Sequence, residues 1–140
     1  MNNKEYIDNV KSGKVSAVKT VKSILSEIKK INKDYNYFNN VTSELALELA
    51  EKVDKNPKGK LAGLPVSIKD DICVKGIETT CSSNILRGYK PIFNATVVKR
   101  LIDEGAVIIG KTNQDAFGFG SFNINTDYGV PKNPIDKTRV

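Results

Sequence analysis

Lys69, at the exit of the short apolar segment Leu64-Pro65-Val66-Ser67-Ile68, is the residue of this chain with the most to offer a reaction. A lysine ammonium has an ordinary pKa of about 10.4, and only enclosure in a poorly solvated pocket turns it into a neutral amine able to accept a proton. A drop of about three units costs ~4 kcal/mol, so the surroundings must enforce it. The chain has no histidine, which removes the imidazole that Ser-His-Asp and Cys-His catalysis require. A neutral lysine is then the base left to activate a serine. On local physics alone the competing expectation is a charged strand exit, with Lys69 turned into solvent beside Asp70 and Asp71.

The serines available are Ser67, Ser82, Ser83 and Ser121. Ser67 is expected to pack within the strand, and Ser82 and Ser83 fall in a loop, so none presents itself as the nucleophile. Cys73 and Cys81 are too few for a disulfide framework and, without histidine, lack the usual partners of a zinc site; both read as ordinary thiols.

A second lysine sits in a phosphate-binding expression. Gly105-Ala106-Val107-Ile108-Ile109-Gly110-Lys111-Thr112 matches G-x-x-x-x-G-K-[ST] letter for letter. A working loop of this kind follows a strand and opens a helix whose first amides meet phosphate. Here the four variable positions are themselves β-branched and apolar, a helix pattern precedes Gly105, and Asn113–Gly120 makes a poor helix with interior glycines. Nucleotide binding at Lys111 is therefore not expected.

The elements that must position these groups are legible in outline. Tyr6, Ile7 and Val10 form a short helical stripe that stops at Ser12-Gly13. After a capping Ser16, the residues Val18, Val21, Ile24, Leu25, Ile28 and Ile31 recur at helical spacing, and a third helix is predicted from about Ser43 to Val53. Asp54–Lys60 is a polar connection. From Leu61 the pattern changes to short apolar runs bounded by Gly and Pro: a strand over Leu64–Ile68, a loop over Ile72–Asn84, and a helix capped by Asn94 with Val97, Val98, Leu101 and Ile102 inward. Gly105 then suits a left-handed helix end, and Ala106–Ile109 a buried strand. Strand, crossover, helix and strand imply a parallel pair. The expected fold class is α/β: N-terminal helices over residues 1–60, then over 61–140 the start of a mixed, largely parallel sheet. The stretch from Thr112 to Val140 has no long periodic element, and two parallel strands alone leave open edges, so a cut within a larger fold is expected.

Hydrophobic residues make up 39% and charged residues 27% of the 140, ordinary globular usage, and no apolar run approaches the ~20 residues of a membrane span. No membrane association is expected, and the polar start, without a secretory signal, suggests a cytoplasmic address. The net charge of +6 divides as +4 over residues 1–60 and +2 over the rest, with lysines alternating with acids on the helices. Such a pattern reads as solvated helix faces rather than a nucleic-acid stripe.

In order and spacing, Leu61–Ile72, Lys75–Ser83 and Asn94–Asn113 resemble the amidase-signature family. The likeness is strong from Leu61 onward and weak over residues 1–55. It implies a Ser-cisSer-Lys triad in which a serine attacks an amide, a bridging serine relays the proton and a lysine is the base. Only the lysine maps here, to Lys69; both serines are expected beyond Val140, so the chain alone should not turn over substrate. Within the family, Asn113–Ser121 and Asn133-Pro134 look most like a glutaminase subunit that supplies ammonia for converting Glu-tRNA(Gln) or Asp-tRNA(Asn) to the amidated forms. That likeness implies GatB-like and GatC-like partner subunits, glutamine as substrate and tRNA bound mainly by the partner. It implies no cofactor or metal in this chain, with ATP and Mg used by the B-type partner. Gly118, Phe119, Gly120 and Ser121 match a loop near the family's substrate, while their glycines equally suit a tight turn. Gln114 and Ala116 depart from the Met and Glu common at those places in bacterial relatives. The alternatives are another amidase-signature hydrolase of small amides and a noncatalytic piece docking through the basic helices.

Overall fold

The computed structural model describes residues 1–140, and its order of elements follows the hydrophobic periodicity closely. Helix α1 spans Asn3–Lys11, with Asn2 capping through its side chain to the Glu5 N–H. Helix α2 spans Ala17–Tyr35 and is capped by Ser16, whose hydroxyl accepts from Lys19 N. Asp54, at the end of helix α3 (Ser43–Lys55), completes that cap. Its carboxylate accepts from Ala17 N at 2.7 Å, Val18 N at 3.2 Å and Ser16 Oγ at 2.7 Å. Negative charge on the orphan amides of a helix start is favourable, so α2 and α3 are stapled where their apolar faces meet.

The sheet has three strands: β1 (Phe38–Val41), β2 (Pro65–Lys69) and β3 (Val107–Thr112), in the order β1-β3-β2. β2 and β3 are parallel, as the strand-helix-strand pattern implies, and β1 is antiparallel to β3. The fold is thus mixed α/β, as expected. Strand β1 is not foreseen by the sequence pattern. Phe-Asn-Asn-Val carries no clear alternation, and its pairing is decided by the buried β3 it meets. The core lies between β3, with Val107 and Ile108 fully buried, and the inner faces of α2 and α3 at Val21, Ile28, Ala46 and Ala50. Tyr6 binds α1 to the chain entering β2 through a hydroxyl hydrogen bond to Gly63 O at 3.0 Å.

Helix α4 (Thr96–Asp103) differs from expectation at its start. Asn94 does not cap it; the Asn94 carboxamide accepts from Lys75 N at 2.7 Å, tying the helix approach to the loop after β2. Val97, predicted inward, is 49% exposed, whereas Val98 is fully buried. A helix this short turns only one narrow stripe to the sheet.

Both glycines of the phosphate-like expression have structural reasons. Gly105 ends α4 with φ +86°, a conformation L side chains disfavour. At Gly110 a Cβ would lie 2.6 Å from Phe38 Cδ1, so the missing side chain is what admits β1 against β3. The segment between them is strand, as the residue types demand.

Candidate active site

Strand β2 and its exit deliver two consecutive residues to opposite environments, following the alternation of a strand. Lys69 lies on the open side: its side chain is 51% exposed and its ammonium is 3.4 Å from Asp71 Oδ2. The enclosure that a neutral lysine needs is not formed by these residues, and the charged strand exit describes this part of the geometry. Asp70, expected with Asp71 as a solvent-facing acid, is instead completely buried.

Asp70 is the centre of a closed polar network. Its Oδ2 accepts from Asn39 Nδ2 at 2.9 Å, Thr80 N at 3.2 Å, Ser82 N at 3.1 Å and the Thr80 hydroxyl. Its Oδ1 faces Lys111 Nζ at 3.2 Å, and the same ammonium reaches Asp70 O at 3.3 Å and Thr79 Oγ1 at 2.9 Å. Burial lowers the Lys111 pKa, opposed by the adjacent Asp70 carboxylate. Lys111 therefore spends all three donors inside the protein and has none for phosphate. Burial, together with Asp70 and Asp71, raises the Cys81 thiol, which leaves it a poor nucleophile.

The network also accounts for the serines. Ser82 Oγ accepts from Asn39 Nδ2 at 2.7 Å and from Gln114 N at 3.0 Å, and Ser83 caps a short 3₁₀ turn over Asn84–Leu86. Ser67 is exposed beside Lys69, not packed in the strand as predicted, because Ile68 takes the inward position. Cys81 and Ser82 both hold positive φ, at 51° and 55°, and the Asp70 carboxylate on Ser82 N stabilises this strained pair.

Lys69 opens onto a cleft of ≈ 510 Å³ whose wall includes Gly118, Gly120 and Ser121 of the predicted loop. The Cβ direction of Gly118 ends 4.0 Å from Lys69 Nζ. Phe119 stands outside, 81% exposed and not part of the wall, because the chain turns at Phe117 and Gly118 with positive φ. Asn113, Gln114, Asp115 and Asn123, none of them in the sequence-derived site, complete the polar wall. Asp115 shapes the loop: its carboxylate accepts from Asn123 N at 2.9 Å and Asn125 N at 3.0 Å. The N–H of Asn125 foremost holds this carboxyl below its usual range, and the loop closes so tightly that a Cβ on Gly120 would strike the carboxylate. An acid just before a glycine-rich stretch was the available signal, but the ring closure is invisible without coordinates. No three His, Cys, Asp or Glu side chains gather anywhere to hold a metal ion.

The parallel pair β2 and β3 thus ends at a cleft where the lysine of the strand exit faces a glycine-rich loop. The Amidase family model matches residues 19–140, and the chain belongs to that family. It is 44% identical over 135 residues to the A-type subunit of the glutamyl-tRNA(Gln) amidotransferase of Symbiobacterium thermophilum, covering 92% of this chain and 28% of that protein. The mitochondrial counterpart from Rattus norvegicus is 44% identical over 136 residues, 94% of this chain and 26% of the relative. Among solved structures, a member of a vestigial protein complex bearing on the origins of an s-triazine catabolic enzyme superposes with TM-score 0.92 at 33% identity. That likeness covers 98% of this chain and 31% of the other. The A-type glutamyl-tRNA(Gln) amidotransferase subunit of Thermotoga maritima gives TM-score 0.72 at 33% identity, over 86% and 25% of the two chains. The chain thus spans between a quarter and a third of the length of these relatives.

Proposed function

We propose that this chain is the N-terminal part of a glutamine amidohydrolase subunit of a tRNA-dependent amidotransferase, with Lys69 as its catalytic base. The observation that carries this reading is the meeting of Lys69 with the Gly118–Ser121 loop across one cleft, inside the segment matched by the family. In the complete site a serine attacks the side-chain carbonyl carbon of glutamine, and its proton passes through a second serine to Lys69 Nζ. The tetrahedral intermediate then collapses, the nitrogen leaves as ammonia with a returned proton, and water cleaves the acyl-enzyme. Both serines lie in polypeptide other than these 140 residues, so the segment by itself is inactive. On this reading the same further polypeptide supplies the enclosure that the open cleft lacks.

On this reading ATP and Mg²⁺ belong to the B-type partner subunit, which receives the ammonia and holds most of the tRNA; a C-type subunit joins them, and the complex works in the cytoplasm. No helix here is long and apolar enough to cross a membrane. The test uses the full polypeptide with its partner subunits. Lys69→Ala should lower glutaminase kcat by about 10²–10⁴, the usual contribution of a positioned base, while leaving the melting temperature near wild type because the side chain is half-exposed. Undiminished turnover by Lys69→Ala sinks the assignment. Rapid hydrolysis of small amides without any partner would replace the glutaminase reading with that of a free-standing amidase.

A further inference from the structure

Asp70, the residue after Lys69, has every polar atom engaged although it is wholly buried. Its N–H donates to Thr112 O at 3.1 Å, and its carbonyl accepts from Cys81 N at 3.3 Å and from Lys111 Nζ at 3.3 Å. The carboxylate adds Lys111 Nζ on Oδ1 and four donors from Asn39, Thr80 and Ser82 on Oδ2. The exit of β2 is thereby fixed to β3 immediately beside Lys69.

The same carboxylate reaches the opposite wall of the cleft through Cys81 and Ser82. Cys81 O accepts from Phe117 N at 3.0 Å, Ser82 O accepts from Asp127 N at 3.1 Å, and Ser82 Oγ accepts from Gln114 N at 3.0 Å. These amides hold the chain on both sides of the Gly118–Ser121 loop, which lines the cleft with Lys69. One buried carboxylate therefore joins the strand exit that carries Lys69 to the loop that faces it. Stability alone gives no reason for it, because a buried ion pair is often matched or bettered by apolar residues of the same shape. What apolar residues cannot supply is a set of directional bonds that meet at one point.

We propose that Asp70, with Lys111 as its counter-charge, is a positioning residue for the Lys69 reaction that sets the strand exit and the facing loop at a fixed separation. Neither side chain touches substrate, since both are closed off from solvent. Lys111 offsets a charge that the buried carboxylate would otherwise carry alone, and it holds the Asp70 carbonyl as well. A reacting geometry misplaced by about 1 Å costs on the order of 10²-fold in rate, so a tie across the cleft has a direct catalytic consequence. This rests on the amidase reading and deepens it by assigning the placement of Lys69 against its loop to the buried pair.

The experiment compares wild type, Asp70→Asn, Thr80→Val, Lys69→Ala and the remote core change Val21→Ala in the full polypeptide with its partner subunits, below the melting temperature of every variant. In Asp70→Asn one carboxylate oxygen becomes an NH₂, which opposes either the loop amides or Lys111. Its glutaminase kcat is expected to fall about 10- to 100-fold. Hydrogen exchange should quicken at the Phe117 and Asp127 amides while those of Val21 and Ile28 stay protected. Val21→Ala lowers the melting temperature but should keep wild-type kcat, which separates misplacement from a general loosening of the fold. Thr80→Val removes one donor to Asp70 and leaves the charge pair intact. It should show the same two changes to a smaller degree, and it decides the matter if Asp70→Asn does not fold. Wild-type kcat in Asp70→Asn or, failing that protein, in Thr80→Val overturns the proposal. So does a fall in kcat with the Phe117 and Asp127 amides still protected, or an equal fall in Val21→Ala. Failure of the amidase reading shows separately, as full activity of Lys69→Ala.

Discussion

Lys111 Nζ stands 3.2 Å from Asp70 Oδ1 with both side chains wholly out of solvent, directly behind the half-exposed Lys69. Breaking such a pair from one side strands the other charge. Lys111→Met should destabilise the protein by about 3–5 kcal/mol, read as a lower urea midpoint. Lys111→Met combined with Asp70→Asn should lose less than the two single changes together, because no lone charge is then buried. Additive losses would mean that the two groups stabilise the fold independently.

The same relationship bears on nucleotide. A lysine whose donors are spent on Asp70 and Thr79 offers none to a phosphate. ATP with Mg²⁺, at concentrations that saturate ordinary P-loop proteins, should leave the melting temperature of this chain unchanged. A rise that Lys111→Met abolishes would restore the phosphate reading of Gly105–Thr112.

The Asp115 loop should open with acid. The loop amides, that of Asn125 foremost, lower the Asp115 pKa in the folded state. Its stabilisation of the loop is complete above the ordinary carboxylate value of about 3.9 and is lost as pH falls through the lower folded value. Hydrogen-exchange protection of the Asn123 and Asn125 amides should collapse in that acid window. In Asp115→Asn it should be weak already at neutral pH, and protection that persisted there would refute the role of the carboxylate.

Gly110→Ala tests whether β1 is held where it is described. The added Cβ would meet Phe38 Cδ1 at 2.6 Å and the backbone oxygen of Asn40 at 2.9 Å. Relief requires β1 to move off β3, at a cost of about 1–3 kcal/mol measured by chemical denaturation. A wild-type midpoint would show that the strand is not seated against Gly110.

Much of this architecture was legible in the residues alone, because its causes are local. Helical spacing of Val21, Ile24, Ile28 and their neighbours, a serine cap at Ser16, Gly105 at a left-handed helix end and the β-branched run before Gly110 each decide a conformation within a few residues. The chain order strand, helix, strand then left the parallel pair as the sole simple outcome. The same local logic rejected the phosphate loop, since strand-forming residues occupied the positions that a loop needs.

What only the tertiary structure decided are the relations between distant residues. Asp70 and Asp71 are identical in type and adjacent, yet one is buried and the other meets Lys69 in solvent, because strand alternation aims the first at Lys111, 41 positions away. Strand β1 exists through its partner and the room at Gly110, not through its own weak pattern. That the Gln114 amide is closed off from solvent without a hydrogen-bond partner required the fold. Backbone propensity and hydrophobic period act over one or two turns, whereas burial of a charge or an amide is settled by what a remote segment brings to it.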